Sequence, residues 1–363
     1  MKKTSLLAFA LSLALLTGCG GEGEYYTETV HNEKEPAHAA SGGDSDISGY
    51  YTLRGAILNM VSLGVAEDVF RIGSYSGDLD GDLKSVIQEI TLEEPLGIYG
   101  VLSISVDQAR VLTYQELSVS IQYKRPVETL RSVIQINSEY DLQSRIVQML
   151  RHRESQGVFQ VADGLRLNST IHQEIYSAWM NCGADAQGLD YVSVDFYPEG
   201  RDDCILEMCP VYLFDNDEKQ ARAEKVRAHA ETLSEGLLSL PEEQRLEEIR
   251  LWLLEHTVYD NNASRVINET LGGQRKSSVY TAYGALVEGE AAQSGFVLAA
   301  SVLLENCGVE HSVLTGMVEG DIYSWIVLSV QGHPCVFDVT AQQNGREAWL
   351  YSEQEAEGLF VEW

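Results

Sequence analysis

Hydrophobic and polar positions divide the chain into three stretches. An apolar run from Leu6 to Leu16 lies near the start, and a polar stretch rich in glycine, serine and glutamate runs from Gly20 to Ser48. From Tyr50 onward, apolar residues recur with helical and strand periods. The first run is shorter than the roughly 20 apolar residues that span a bilayer. The second has too little apolar surface to offset the entropy of ordering. We therefore expect folded structure to begin near residue 49.

Between residues 50 and 215 the pattern alternates between strand and helix. Alternation of period two predicts one strand through Leu117, Val119, Ile121 and Tyr123. Helical spacing predicts two helices with the apolar faces Leu142, Ile146, Met149, Leu150 and Ile171, Ile175, Ala178, Trp179. Further strands are predicted at 101–106, 158–161, 191–197 and 204–214. This order predicts a small α+β domain with a sheet covered on one face.

Two more helices lead into a second alternating region. The first runs from about Asn216 to Leu238. The second starts after Pro241, which suits the first helical turn because proline has no N–H to leave unpaired there. The sequence therefore predicts an N-terminal α+β domain over residues 49–238 and a second α+β domain over residues 239–363.

Three features in the required order mark an export signal. Two lysines precede the apolar run, and the tetrapeptide Leu-Thr-Gly-Cys, ending at Cys19, follows it. This tetrapeptide resembles the lipobox read by bacterial lipoprotein-processing enzymes. The resemblance implies that residues 1–18 are a signal peptide and that Cys19 carries lipid. Residues 19–48 would then tether the protein to the extracytoplasmic face of the cell membrane.

The charge of the chain excludes nucleic acid as a partner. The 363 residues include 55 acidic and 25 basic side chains, which gives a net charge of −30. Binding to a phosphate backbone depends on basic side chains that release counterions, and an acidic field repels that backbone. We interpret the acidity as a solubility feature. The 44% hydrophobic content suffices for one or two ordinary cores.

The cysteines after Cys19 do not form a zinc pattern, since they include no short Cys-x-x-Cys and lie near no clustered histidines. Their pairing stays open, although buried free thiols are favoured for most of the five. They are Cys182, Cys204, Cys209, Cys307 and Cys335.

One acidic pattern matches part of a calcium-loop template. Asp78, Asp80, Asp82 and Glu89 fall on ligand positions of the template, but Leu83 replaces the glycine that the sharp turn needs. We therefore favour a helix capped by Asp82. The sequence predicts neither a metal site nor a cofactor.

The C-terminal third contains an ordered run of motifs, with residues 281–296 reading TAYGALVEGEAAQSGF. The flanking motifs are Tyr259-Asp260, Gly308, Tyr323-Ser324-Trp325, the turn Gln331-Gly332 and Asp338-Val339-Thr340. This order resembles bacterial transglutaminase-like domains, where a helix ending in Tyr-Asp precedes the nucleophile segment and strands carrying His-Ala-Trp and Asp-Val-Thr follow. The resemblance covers roughly residues 240–363 and implies a papain-like α+β fold with a Cys, His, Asp triad.

Matched residue by residue, that triad is degenerate. The resemblance places the nucleophilic cysteine at Gln293, the histidine at Tyr323 and the aspartate at Asp338. An amide neither ionises nor attacks a carbonyl, and a phenol with a pKa of about 10 is no base at neutral pH. We therefore expect no intact catalytic set. The groove beside it, with Tyr283 and Trp325 in its wall, would serve binding.

Two functional hypotheses follow. The favoured one is a lipid-anchored, non-catalytic protein whose groove binds a peptide or a cell-wall component. The alternative is an enzyme of the cysteine protease and transglutaminase type with a displaced nucleophile. Ser294, Ser324 and Cys335 are the candidates, but helix and strand geometry points them away from the site. His333 lies in the predicted hairpin, far from the helix start.

Overall fold

The computed structural model describes residues 47–111, 113–162, 165, 170–264, 278–319 and 321–362. The expected signal peptide, Cys19 and all but the end of the expected tether lie outside these residues. Within the described ranges, no helix has the length and apolar character needed to cross a membrane. The mixture of helices with several sheets confirms the α+β class.

The first third packs helices on a three-stranded antiparallel sheet with the order β1-β3-β2. Its elements are α1 (Tyr50–Leu63), β1 (Glu67–Ile72), α2 (Leu79–Leu92), α3 (Pro95–Gly100), β2 (Val101–Val111), β3 (Tyr114–Tyr123) and α4 (Val127–Arg131). The alternation predicted for β3 is confirmed, because Leu117, Val119 and Ile121 are buried in the core under α1 and α2.

The calcium-like carboxylates lie on and beside a regular helix. Asp78 is the N-cap of α2, so the cap expected at Asp82 is wrong by about one turn. Asp82 instead accepts a hydrogen bond from the Tyr75 hydroxyl at 2.8 Å, and Glu89 accepts one from Arg54 Nε at 2.6 Å. Among the described residues, no group of three or more side chains could hold a metal ion.

The middle of the chain forms a second sheet with the order β4-β5-β7-β6. Its elements are β4 (Ile134–Ile136), α5 (Glu139–His152), β5 (Gly157–Val161), α6 (Ile171–Met180), β6 (Leu189–Tyr197) and β7 (Cys204–Tyr212). The expectation of one sheet covered on one face is wrong. Ile205 packs in the core of the first third, whereas its neighbour Leu206 packs in the core cluster that the middle sheet shares with the last third. Val158 and Phe159 of β5 divide in the same way. Since successive strand residues face opposite ways, both faces of the two inner strands β5 and β7 are buried.

The last third surrounds one buried helix. Its elements are α7 (Asn216–Glu235), α8 (Glu242–His256), β8 (Val258–Tyr259), a π-helical turn (Gly284–Glu288), β9 (Glu290–Ala291), α9 (Gln293–Asn306), β10 (His311–Val318), β11 (Asp321–Val330), β12 (His333–Phe337), β13 (Leu350–Ser352), α10 (Glu353–Ala356) and β14 (Val361–Glu362). Five strands form an antiparallel sheet with the order β13-β12-β11-β10-β14. Helix α9 contacts α7, α8, β10 and β11, and residues 293–304 of it are all buried.

Hydrophobic contacts cross the expected domain boundary at residues 238 and 239. One core cluster includes residues from Ile136 to Val339, so it joins the middle sheet to α9 and the last sheet. All described residues belong to one contact unit, residues 42–363. A boundary at 238 therefore stays a prediction about folding units, which limited proteolysis would test.

The predicted turn between β11 and β12 is present. Gln331 and Gly332 have φ angles of 52° and 82°, as a two-residue type I′ hairpin requires. The strand expected through Asp338 and Thr340 is wrong, because β12 ends at Phe337. The Thr340 N–H donates to the Asp338 carboxylate at 3.1 Å, and this side-chain turn directs the chain away from the sheet.

Candidate functional site

Gln293 is the first residue of α9, and its side chain completes the hydrogen bonding of β11. Its Nε2 donates to the Ser324 carbonyl at 2.6 Å, and its Oε1 accepts from the Ser324 N–H at 3.3 Å. Strand β12 pairs with β11 only from Ile326 onward. The Gln293 amide therefore makes the hydrogen bonds to Ser324 that a longer β12 would make. Gln293 is only 6% exposed, and its amide nitrogen and oxygen both bond to the main chain of Ser324.

Two glycines bring the chain close to itself beside Gln293. A Cβ added at Gly284 would overlap the main-chain oxygen of Ser278, and one added at Gly295 would overlap that of Val279. Only glycine permits such close backbone approach. These motif positions are therefore required by packing, whether or not a nucleophile stands at residue 293.

Tyr323 and Asp338 lie in a buried hydrogen-bond network. The Tyr323 hydroxyl donates to Asp338 Oδ1 at 2.9 Å and lies 2.7 Å from Thr340 Oγ1. Asn344 Nδ2 donates to the same hydroxyl at 3.1 Å. Arg346 contacts Asp338 Oδ2 with Nε at 3.1 Å and Nη2 at 2.8 Å. Its guanidinium also lies 4.7 Å from the centre of the Tyr323 ring. The network thus holds tyrosine, carboxylate and guanidinium in one arrangement.

Burial governs the protonation of this network. The side chain of Asp338 is 0% exposed and that of Arg346 is 12% exposed. Burial raises the pKa of the Asp338 carboxyl, while Arg346, Tyr323 and the Thr340 N–H oppose the rise. Burial, with the adjacent Asp338 charge, also raises the pKa of Tyr323 well above its ordinary value. The phenol therefore stays protonated and acts as a hydrogen-bond donor, not as a base.

The three triad-equivalent positions meet along β11. Gln293 binds the main chain of Ser324, and Tyr323, the preceding residue, binds Asp338. Their assignment as counterparts of Cys, His and Asp stays a prediction. Arg346, which supplies the cation of the network, was not predicted from the sequence. Arg346 stands outside any helix or strand, so no periodicity marked it.

Of the expected groove residues, one is buried and one lies against a helix. Trp325 is 2% exposed, and its ring centre lies 5.3 Å from that of Phe360. A groove that includes Trp325 would require this ring to become exposed. Tyr283 is half-buried, with the guanidinium of Arg222 on α7 5.0 Å from its ring centre. Of the two expected groove residues, Tyr283 is therefore the one whose ring is accessible to a ligand.

In the described part of the chain, the hydrogen bonds of the candidate displaced nucleophiles include none to an imidazole or a carboxylate. The Ser324 hydroxyl lies 3.3 Å from the Tyr176 hydroxyl, and the Ser294 hydroxyl donates to the Tyr280 carbonyl at 3.4 Å. Cys335 is half-buried, and burial raises the pKa of its thiol, which disfavours the reactive thiolate.

The other reactive side chains considered in the sequence are the cysteine thiols and His333. All five cysteines after Cys19 are free in this structure, with Cys182, Cys204 and Cys307 buried and Cys209 half-buried like Cys335. His333 is exposed at the start of β12.

Comparison with known proteins gives distant structural similarity alone. No family model matches the chain, and no curated protein matches it. A solved structure described as a TGase aligns with 67% of this chain and 66% of its own, at 15% identity and a TM-score of 0.33. A proposed protease from Parabacteroides distasonis aligns with 76% of this chain and 43% of its own, at 12% identity and a TM-score of 0.23. The chain thus spans less than two thirds of either neighbour, and at these TM-scores neither similarity assigns its function.

Proposed function

We propose that residues 239–363 are a transglutaminase-like domain that has lost catalysis at its triad positions, and that the protein works by binding. This proposal rests on the hydrogen bonds that the Gln293 side chain makes. Where the resemblance implies a nucleophilic cysteine, an amide uses both its donor and its acceptor on the main chain of Ser324. A side chain that completes the hydrogen bonding of a strand has a structural role.

The surroundings of Gln293 support the same proposal. A catalytic cysteine at a helix start depends on the positive end of the helix and on a neighbouring base. Here the Gln293 N–H donates to Ser264 Oγ at 3.0 Å, so a side chain already occupies that donor. The Tyr323 phenol is protonated and donates to Asp338. Losing nucleophile and base together removes most of the rate of a unit that acts non-additively.

Cell attachment and ligand class follow from the sequence. The lipobox resemblance supports anchoring through Cys19 at the extracytoplasmic face of the membrane, with the binding region held beyond residues 19–48. A net charge of −30 favours ligands that carry amines over anionic polymers. A peptide, or the peptide part of a cell-wall component, is therefore the proposed ligand. Tyr283 supplies the aromatic contact of the proposed groove.

Sedimentation with insoluble peptidoglycan tests the binding role. We expect the purified full chain to sediment with peptidoglycan and not with cellulose, and to be released by salt as charge contacts are screened. Tyr283→Ala should weaken retention about tenfold, the loss typical of an aromatic binding residue. Tyr140→Ala, which alters a tyrosine that is 82% exposed on α5, is the matched control and should change nothing. Absence of retention, or equal losses in the two variants, would refute this role.

A further inference from the structure

A second polar site lies farther along α9, away from the triad-equivalent residues. A cavity of about 410 Å³ opens where the end of α6, the later turns of α9 and the start of β10 meet. Its wall includes Arg151, Asn181, Ser301, Glu305 and His311. Ser301 follows Gln293 by eight residues, which corresponds to about 12 Å along a helix. The cavity is therefore distinct from the Gln293 site.

Ser301 and His311 form a hydroxyl–imidazole pair in this cavity. Ser301 Oγ lies 2.7 Å from His311 Nε2, and His311 Nδ1 lies 2.9 Å from the Val309 carbonyl oxygen. A carbonyl only accepts hydrogen bonds, so Nδ1 carries the proton and the neutral ring offers its Nε2 lone pair to the Ser301 hydroxyl. This is the arrangement of a nucleophile, its base and a third group that orients the base.

The surroundings keep the imidazole neutral. Burial lowers the pKa of His311 below its ordinary value, and the Val309 carbonyl and the Glu305 charge oppose that shift. Glu310 and Arg151 are the other charged residues of the cavity wall. At neutral pH the ring is therefore unprotonated and able to take the Ser301 proton. A positioned base of this kind contributes about 100-fold or more to a proton-transfer step.

We propose that Ser301 is an acylation site for small, uncharged carboxylic esters, with His311 as its general base. A cavity of about 410 Å³ has the size of a small-molecule site. Two glutamates against one arginine in its wall disfavour anionic esters. This site does not depend on the proposed binding role of the Gln293 region.

The chemical step balances within the pair and the ester. Ser301 Oγ bonds to the acyl carbon while His311 Nε2 takes the hydroxyl proton. The ester C–O bond then breaks, its electron pair leaves with the alkoxy or phenoxy group, and the imidazolium returns the proton to that group. Water attacks the acyl-serine in the second half, with His311 as base, and releases a carboxylic acid. Glu305 and Glu310 disfavour the negative charge of each tetrahedral intermediate, so acylation and deacylation should both be slow, and the acyl-serine should be long-lived once it has formed.

Labelling with p-nitrophenyl acetate tests the proposal on the purified full chain. We expect p-nitrophenol release and one acetyl group on the peptide that contains Ser301, found by mass spectrometry. Ser301→Ala should abolish this label, and His311→Gln should slow acylation of Ser301 at least tenfold, consistent with loss of a general base. The acylation rate should rise with pH through a pKa below that of an ordinary histidine, and His311→Gln should remove this dependence.

Two matched variants control for structural effects. Ser234→Ala removes another buried helical hydroxyl, which donates to the Ala230 carbonyl, and His229→Gln removes a histidine whose Nδ1 also lies against a carbonyl. In both variants, p-nitrophenyl acetate should label Ser301 as it does in the unmodified chain. Absence of acetyl on Ser301, labelling elsewhere only, or equal labelling rates in His311→Gln would overturn the proposal. Mapping the acetyl group on the unmodified chain tests the proposal even where a variant fails to fold.

Discussion

Replacing Arg346 with methionine would leave the Asp338 carboxylate buried without its cation. The carboxylate is 0% exposed, and Arg346 binds it through two nitrogens at 3.1 and 2.8 Å. Removing one partner of a buried ion pair destabilises proteins by about 3–5 kcal/mol, because the remaining charge is uncompensated. Tyr323 and the Thr340 N–H still donate to the carboxylate, so we expect a loss of about 3 kcal/mol in the free energy of unfolding at neutral pH.

The pH dependence of this loss has a definite sign. Burial already raises the pKa of Asp338 above the ordinary value of 3.8. A carboxyl whose pKa is higher in the folded than in the unfolded state stabilises the protein most at pH values below its pKa in the unfolded state. This stabilisation is lost as the pH rises through the pKa of the folded state. Removing Arg346 takes away one opposing charge and raises that pKa further. The variant should therefore be least stable, relative to the unmodified chain, at high pH and recover as Asp338 protonates.

Urea unfolding followed by tryptophan fluorescence measures both effects. Arg145→Met is the matched control, since Arg145 pairs with Asp141 at 3.7 Å with side chains 42% and 35% exposed. Such a surface pair contributes about 1 kcal/mol or less. Equal losses for the two arginine variants, or a loss for Arg346→Met that grows as pH falls, would refute the buried network.

Three further predictions concern single residues. Gln293→Ala should leave the Ser324 N–H and C=O unpaired and lower the free energy of unfolding by about 1–3 kcal/mol for each group, measured by urea unfolding; an unchanged midpoint would contradict this. Burial raises the pKa of Cys204 to about 11, so a thiol reagent should modify it only after unfolding, and fast reaction in the folded protein would show an exposed thiolate. Mass analysis of the mature N-terminus should find lipid on Cys19, and an unmodified Cys19 would exclude the anchor.

The sequence predicted individual elements better than their packing. Strand β3 could be predicted because Leu117, Val119 and Ile121 face one core while the residues between them do not. Strand β7 lacks such alternation: Ile205 and Leu206 are both apolar because they pack in different cores. A continuous apolar run is typical of a strand buried on both faces. That signal was present, but the layer on the Ile205 face includes α3, which contacts β7 from more than 100 residues earlier in the chain.

The candidate site could be predicted only where a motif marks it. Gln293, Tyr323 and Asp338 follow from the order of motifs around them. The hydrogen bonds of Gln293 to Ser324 depend on β12 ending early, which no local pattern shows. Arg346 binds Asp338 from an irregular segment, so neither charge spacing nor hydrophobic period could place it there. Such long-range polar contacts arise from the fold as a whole.

Turnover by the unmodified protein decides whether the residues at 293, 323 and 338 have lost catalysis. The measurement is incorporation of a fluorescent amine into casein by the purified full chain, beside Gln293→Ala and the double variant Gln293→Cys, Tyr323→His. We expect the unmodified chain to incorporate no more amine than Gln293→Ala or the enzyme-free blank, so that any turnover belongs to the double variant alone. Robust incorporation by the unmodified chain, lost on Cys335→Ser or Ser294→Ala, would contradict it and establish a displaced nucleophile.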